Sequence, residues 1–295
     1  MTSAQGGPAG SALPDDLLAQ LSRLGAPAAD LEEPAAGGRA RPVRHLVGQD
    51  VVVDVAVDAR GKHLNRLEAH GRAWARDHGV RVPRLLATDP DGCWLVGERV
   101  DLAPPAGTDY LASALEQASL VARAPLAEDR PEATTWRAPR RTRPARTARL
   151  VSRTGTLALT MLGVRRAVQA LPRSQTAHGD FYFRNVLRPA DGEQVLVVDW
   201  EHLDRAPAGT DALRLWSTTK DDDDRARVLD QVMSPLGRDE RADASLLAYW
   251  LSLRLVAENL SSPRREHRQE DAEHALRVLP AARELARRSG GWPRR

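Results

Sequence analysis

Four polar side chains in the C-terminal half have the types and spacing to act together. His178, Asp180 and Asn185 lie in the single segment HGDFYFRN (178–185), and a second carboxylate, Asp199, closes the apolar run VLVVD (195–199). Moving a phosphoryl group from a nucleotide to a hydroxyl needs a carboxylate that orients the hydroxyl and accepts its proton. It also needs oxygen ligands that hold Mg²⁺ against the phosphates. Asp180, Asn185 and Asp199 supply such a set. Mg²⁺ takes few protein oxygens and fills the rest of its shell with water and phosphate, so one Asn and one Asp are a fitting allotment. His178 reads as a hydrogen-bonded scaffold residue, and Glu201 as a supporting or surface carboxylate outside the metal set. The two phenylalanines of the chain, Phe181 and Phe183, flank Tyr182 in the same loop and read as packing residues. Arg184 reads either as a surface position or as a contact to a phosphate or an anionic acceptor.

The elements around these residues must bring them together. VLR (186–188) and VLVVD (195–199), joined by the turn PADGEQ, form a short β-pair that places Asn185 and Asp199 at neighbouring strand ends. Helical patterns surround it near 108–124, 154–171, 209–217, 222–233, 241–261 and 265–288, the last bent or broken at Pro280. The N-terminal part has a different character. After a loose Gly/Ala/Ser/Pro tail (1–14) and a first helix near 15–24, RPVRHLV (41–47) and VVVDVAV (51–57) read as a hairpin. A helix follows over 63–79, with Leu64, Leu67, Gly71 and Trp74 on one face. VRVPRLLA (80–87) and CWLVGERV (93–100) are further strands about the turn DPDG. Gly37 and Gly38 suit either a loop passing close to phosphate or a plain turn. The organisation is therefore a tail (1–14), a strand-rich lobe (15–100) and a helical lobe (101–295).

Composition excludes several classes. At 295 residues with 42% hydrophobic content the chain can build a sizeable core and reads as a soluble globular protein. The longest apolar stretch, LLAYWLSLRLVA (246–257), is cut by Arg254 and is shorter than a membrane span. The opening residues lack the basic and apolar regions of a secretory signal, so the expected compartment is the cytoplasm. The lone Cys93 excludes a disulfide framework and a cysteine zinc cluster. A formal charge of +3 is small for this length, and the basic residues are almost all arginine, with Lys62 and Lys220 the only lysines. This reads as a bias of codon usage more than of a basic partner, so general nucleic-acid binding is not expected. The Arg-rich segment 137–153 reads as a solvated face or an anion or partner contact.

HGD, an Asn five residues after that Asp, and a hydrophobic strand ending in DWE together resemble the signature of the aminoglycoside phosphotransferase and choline kinase superfamily. The resemblance implies an α+β, two-lobed protein-kinase-like fold, with a small β-rich N-terminal lobe and a larger, mostly helical C-terminal lobe. It implies a phosphotransferase using ATP or GTP with Mg²⁺ on a hydroxylated small-molecule acceptor. Asp180 then corresponds to the catalytic base, Asn185 and Asp199 to the metal ligands, and His178 to the brace of the catalytic loop. Asp211, in APAGTDALRL, corresponds to the carboxylate that supports this loop. Glu68 corresponds to the helix glutamate paired with a nucleotide-binding lysine, and backbone groups near Glu98 and Val100 to the adenine contacts. The chain departs from the pattern in VVVDVAV, where Asp54 stands in the place of the lysine. An anion there repels nucleotide phosphate. Three consequences are open: another cation, Lys62 or Arg60, serves the phosphates; the strand register differs; or the protein is a degenerate, non-catalytic module. Among the acids, Glu201, Asp204 and the run Asp221–Asp224 are candidates for an acidic acceptor pocket, the run also reading as a solvated helix start.

Overall fold

A computed structural model describes residues 13–34, 42–105, 107–126, 156–192, 194–260 and 269–290. Gly37, Gly38, the Arg-rich segment 137–153 and most of the N-terminal tail lie outside the described residues. The chain divides into two compact units, Met1–Ala69 with Pro83–Val100, and His70–Val82 with Asp101–Arg295. Residues 70–82, counted with the first lobe on sequence grounds, therefore group with the second.

The first unit is an antiparallel sheet backed by helix. Strands β1 (Val43–Val47), β2 (Val51–Ala56), β3 (Leu85–Thr88) and β4 (Trp94–Glu98) pair in the order β1-β2-β4-β3. Alternation sorts the strands by face. Val51, Val53, Trp94 and Val96 bury against Leu17 and Leu21, spaced four apart on helix α1 (Asp15–Arg23). The Trp94 indole N–H reaches Asp16 Oδ2 at 2.9 Å and ties sheet to helix. Helix α2 (Ala59–Asp77) begins four residues before its apolar pattern suggests, because Asp58 Oδ1 accepts the Gly61 backbone N–H at 2.8 Å and caps it. Strand β3 starts at Leu85 rather than Val80. Pro83 has no N–H to give a sheet, and Val80 is buried in the core of the second unit instead.

The second unit packs helices around small sheets. Its helices are α3 (Thr108–Arg123), α4 (Thr156–Gln169), α5 (Thr210–Thr218), α6 (Asp222–Met233), α7 (Arg238–Leu260) and α8 (Gln269–Arg288). The last runs unbroken through Pro280, which packing against α7 tolerates. Strands β5 (Leu102–Ala103), β7 (Val186–Pro189) and β8 (Leu196–Val197) form one sheet; β6 (Gln175–Ala177) and β9 (Asp204–Ala206) form another. The loop 178–185 is thus suspended between two strands, β6 before it and β7 after it. Tyr110 of α3 donates its hydroxyl to Val186 O at 3.0 Å, fixing β7 from behind.

Candidate active site

The β7–β8 pair brings the polar residues into one cluster. Val186 pairs with Val197, so Asn185 and Asp199 flank neighbouring strand ends. The Asn185 side-chain amide donates to Asp180 O at 3.0 Å and lies 3.3 Å from Asp199 Oδ2 and 3.5 Å from Asp180 Oδ2. Spending Nδ2 on these oxygens leaves the amide Oδ1 as an acceptor. Asp199 has φ 70 and ψ 59, the left-handed region, and among the described residues it is the only non-glycine with positive φ. Such a backbone costs about 1–3 kcal/mol, and surrounding structure must hold it.

What holds it is aromatic. Trp200 is fully buried, donates its indole N–H to Val197 O at 3.0 Å, and meets the His178 ring edge-on at 4.7 Å between centroids. Behind it lies Gly71 of α2: a Cβ built there would fall 2.4 Å from Trp200 Cβ. Gly71, which weakens the helix as a sequence pattern, is thus the price of a close helix contact behind Asp199.

His178 is fully committed to scaffolding contacts. A carbonyl only accepts, so the 2.9 Å contact of Nε2 with Val198 O makes Nε2 the protonated nitrogen. Nδ1 then accepts the Asp180 backbone N–H at 3.3 Å. Burial drives its pKa down to about 4, with Asp180 and the Val198 carbonyl opposing and His202 adding to the fall. The imidazole is neutral at pH 7. Asp211, at the start of α5, accepts the backbone N–H of His178 at 2.7 Å and of Gly179 at 3.0 Å, one on each oxygen. Burial raises its pKa to about 7 against the pull of those two bonds, and the Asp180 charge adds to the rise.

Two residues that the sequence did not single out join the cluster. Arg214, one turn after Asp211 on α5, donates Nη2 to Asp180 Oδ1 and to Glu258 Oε2 of α7, both at 3.2 Å. Glu258 also accepts from Arg254 at 3.0 Å. Burial pushes the Glu258 carboxyl up, but the two guanidinium charges outweigh it and hold it at about 2. Arg184 is exposed and pairs with Asp271 of α8 at 2.9 Å, while Phe181 is fully buried in the core.

Several of the acids considered from sequence for an acceptor pocket have partners nearby. Asp221 caps α6 through the Asp224 N–H, Asp222 and Asp224 pair with Arg225 and Arg227, and Glu201 lies 3.3 Å from His202. Asp204 is buried in β9.

In the first unit, β2 carries Asp54, which contacts His45 Nδ1 of β1 at 2.6 Å. Glu68 of α2 is buried. Lys62 lies in the first turn of α2, where Cys93, then Asp91 and Asp89, raise its pKa against a smaller opposing effect of burial. Glu98 binds Arg84 through side chain and backbone, and Val100 follows β4 half-buried. Among the described residues no three His, Cys, Asp or Glu form a metal cluster. A site of one amide and one carboxylate oxygen is outside that pattern and suits Mg²⁺, which keeps most of its water.

A sheet unit with a buried helix glutamate, and a helical unit whose loop sets Asp, Asn and Asp together, define a protein-kinase-like fold. The sequence profile of the Phosphotransferase enzyme family matches residues 31–246, and the chain belongs to that family. Among solved structures it is similar to a choline/ethanolamine kinase family protein from Mesorhizobium loti (18% identity, 94% of this chain and 98% of that one, TM-score 0.59). It is also similar to LicA in complex with AMP (11%, 92% and 100%, TM-score 0.56) and to APH(2")-IIa in complex with gentamicin (12%, 90% and 97%, TM-score 0.54). No curated protein matches the sequence. No helix among the described residues is long and apolar enough to cross a membrane.

Proposed function

We propose that the protein is a small-molecule kinase that transfers the γ-phosphate of ATP or GTP to a hydroxyl of a metabolite or antibiotic in the cytoplasm. The observation that carries this reading is the Asn185 amide, which lies within reach of both Asp180 and Asp199 in a chain of the phosphotransferase family. Asp180 is assigned as the base: its carboxylate takes the proton of the acceptor hydroxyl while that oxygen bonds to the γ-phosphorus. The bond from phosphorus to the bridging oxygen of the leaving diphosphate then breaks. Asn185 Oδ1 and the Asp199 carboxylate are assigned to Mg²⁺, which supplies positive charge against the phosphate oxygens when bound. His178 has both nitrogens in use and therefore braces the loop, as Asp211 does from α5.

Turnover of ATP and GTP with Mg²⁺ against a panel of hydroxylated amines, sugars and antibiotics tests this reading. Asp180→Asn is expected to lower kcat by about 10³-fold, the middle of the range for loss of a general base. Transfer by no wild-type preparation, or an Asp180→Asn variant as fast as wild type, overturns it.

A second reading is favoured by one observation, the Asp54–His45 pair on the strand where a phosphate-binding lysine is expected. The protein then acts as a nucleotide-binding or regulatory module without transfer. Calorimetric titration separates the two: Mg²⁺-dependent nucleotide binding with turnover supports the kinase, and Mg²⁺-independent binding or none supports the module.

A further inference from the structure

Helix α5 grips the loop at two levels. Asp211 holds its main chain through the N–H groups of His178 and Gly179, and Arg214, one turn later, holds the side chain of Asp180. We propose that Arg214 is a positioning residue for Asp180, selecting Oδ2 as the oxygen that accepts the acceptor proton, and that Glu258 of α7 keeps Arg214 in place. The word "acceptor" here rests on the phosphotransfer reading above; the positioning itself does not.

Arg214 is built for this role and for little else. Its side chain is only 6% exposed, and a buried guanidinium is tolerated where its charge is matched. Asp180 and Glu258 match it, each through Nη2. The guanidinium carbon also lies 5.5 Å from the centroid of the Tyr182 ring, a residue of the same loop. Nε and Nη1 have no hydrogen-bond partner among the described residues. A buried donor left without a partner is costly, so the side chain is not placed for the sake of its own hydrogen bonding. Its geometry serves the two carboxylates instead.

The consequence for Asp180 follows from its oxygens. Oδ1 is taken by Arg214 at 3.2 Å, whereas Oδ2 has only the long 3.5 Å approach of the Asn185 amide. Oδ2 is therefore the freer base, and the Arg214 contact opposes rotation of the carboxylate about its Cβ bond. Arg254, paired with Glu258 at 3.0 Å, extends the chain of alternating charge to Asp180, Arg214, Glu258 and Arg254.

The test uses Mg²⁺–ATP hydrolysis by the full chain, with water as acceptor, for wild type, Arg214→Gln, Arg214→Lys, Glu258→Gln and Asp180→Asn. Misplacing a general base costs about 10²-fold, so Arg214→Gln is expected to lower kcat by that factor with KM for ATP within about twofold. Arg214→Lys is expected to recover about tenfold of the loss, and Glu258→Gln to lose about fivefold, since each keeps one contact of the pair. In an Asp180→Asn background Arg214→Gln is expected to add less than about twofold, because both act through one group. Full multiplication of the two losses, or Arg214→Gln within about threefold of wild type, overturns the proposal.

Should Arg214→Gln not fold, Glu258→Gln with unchanged kcat overturns it. If wild type neither hydrolyses ATP or GTP nor transfers phosphate to any acceptor of the panel, the kinase reading fails first. The positioning is then read by nitrogen NMR of the Arg214 guanidinium: a signal that shifts on Asp180→Asn supports it, and one that does not shift overturns it.

Discussion

In the helical unit Arg214 is buried between two carboxylates, whereas the His45–Asp54 pair of the sheet unit is more open to water. Arg214 is 6% exposed and bonded to two carboxylates, His178 uses both ring nitrogens, and Asp211 clasps two backbone amides. The comparable pair of the sheet unit, His45 with Asp54, is 45% and 18% exposed on the strands β1 and β2. Exposed pairs contribute little and cost little to change, whereas buried ones fix geometry at high stakes. The difference teaches where a departure from a family's pattern can be absorbed. The family resemblance expects a lysine where Asp54 stands, and there the aspartate meets one partly exposed histidine, whereas Arg214 joins two carboxylates and a change there disturbs both.

The largest way to break the comparison is to crowd the helical unit. Gly71→Ala puts a methyl group 2.4 Å from Trp200 Cβ, where something must move, and the residue pushed is the one that follows Asp199. Overpacking of this kind costs about 1–3 kcal/mol, more than alanine returns in helix propensity. The internal control is Gly163→Ala in α4, where an added Cβ meets nothing within 4 Å. Urea unfolding is expected to show Gly71→Ala destabilised by about 2 kcal/mol and Gly163→Ala stabilised by up to about 1 kcal/mol. Equal shifts at both positions would remove the idea that α2 supports the Asp199 turn.

The second prediction concerns pH and separates two buried groups that pull in opposite directions. His178 has a folded pKa near 4, below its ordinary 6.5, so below pH 6.5 the unfolded chain binds the extra proton. Its contribution is complete above that pH and is lost as pH falls toward 4. Asp211 has a folded pKa near 7, above its ordinary 3.8, so its contribution is complete in acid and is lost as pH rises through 7. His178→Gln removes the first slope and leaves the second. Between pH 8 and pH 5 wild type loses about 2 kcal/mol from His178 that the variant does not. The gap between wild type and His178→Gln, measured by denaturant unfolding at pH 8 and pH 5, is expected to shrink by that amount. A pH-independent gap would mean that the imidazole is not buried and neutral.

The contrast between units also explains what could be read in advance. Asp180, Asn185 and Asp199 were legible because they are local: a loop, a short hairpin and an apolar strand are determined by neighbours in sequence. Arg214 and Glu258 meet Asp180 and each other across 34 and 44 residues, and no spacing announces that. The one local sign is a charge inside TDALRLWST, where Arg214 interrupts the buried stripe of Leu213, Leu215 and Trp216. The N-terminal elements were found, but their ends moved for reasons of single residues, Asp58 capping α2 early and Pro83 delaying β3. Gly71 reads as a flaw in a helix until Trp200 is placed against it.

The smallest expected effect is the most informative for the sheet unit. Asp54→Lys reverses the charge at the strand position where the family resemblance expects a phosphate partner, and leaves His45 without its 2.6 Å carboxylate. Two unit charges at about 4 Å interact by about 4 kcal/mol at an effective dielectric of 20, but beside the 45%-exposed His45 water and salt screen most of it. About 1 kcal/mol should survive, equal to a gain of roughly fivefold to tenfold in Mg²⁺–ATP affinity by calorimetry. β2 is paired on both sides and Asp54 is only 18% exposed beside His45, so a loss of about 1 kcal/mol in stability is expected. An affinity that stays level means that the Asp54 face does not meet the phosphates. An affinity that rises with no gain in turnover identifies Asp54 as a brake on binding alone, with the rate determined by the gripped loop around Asp180.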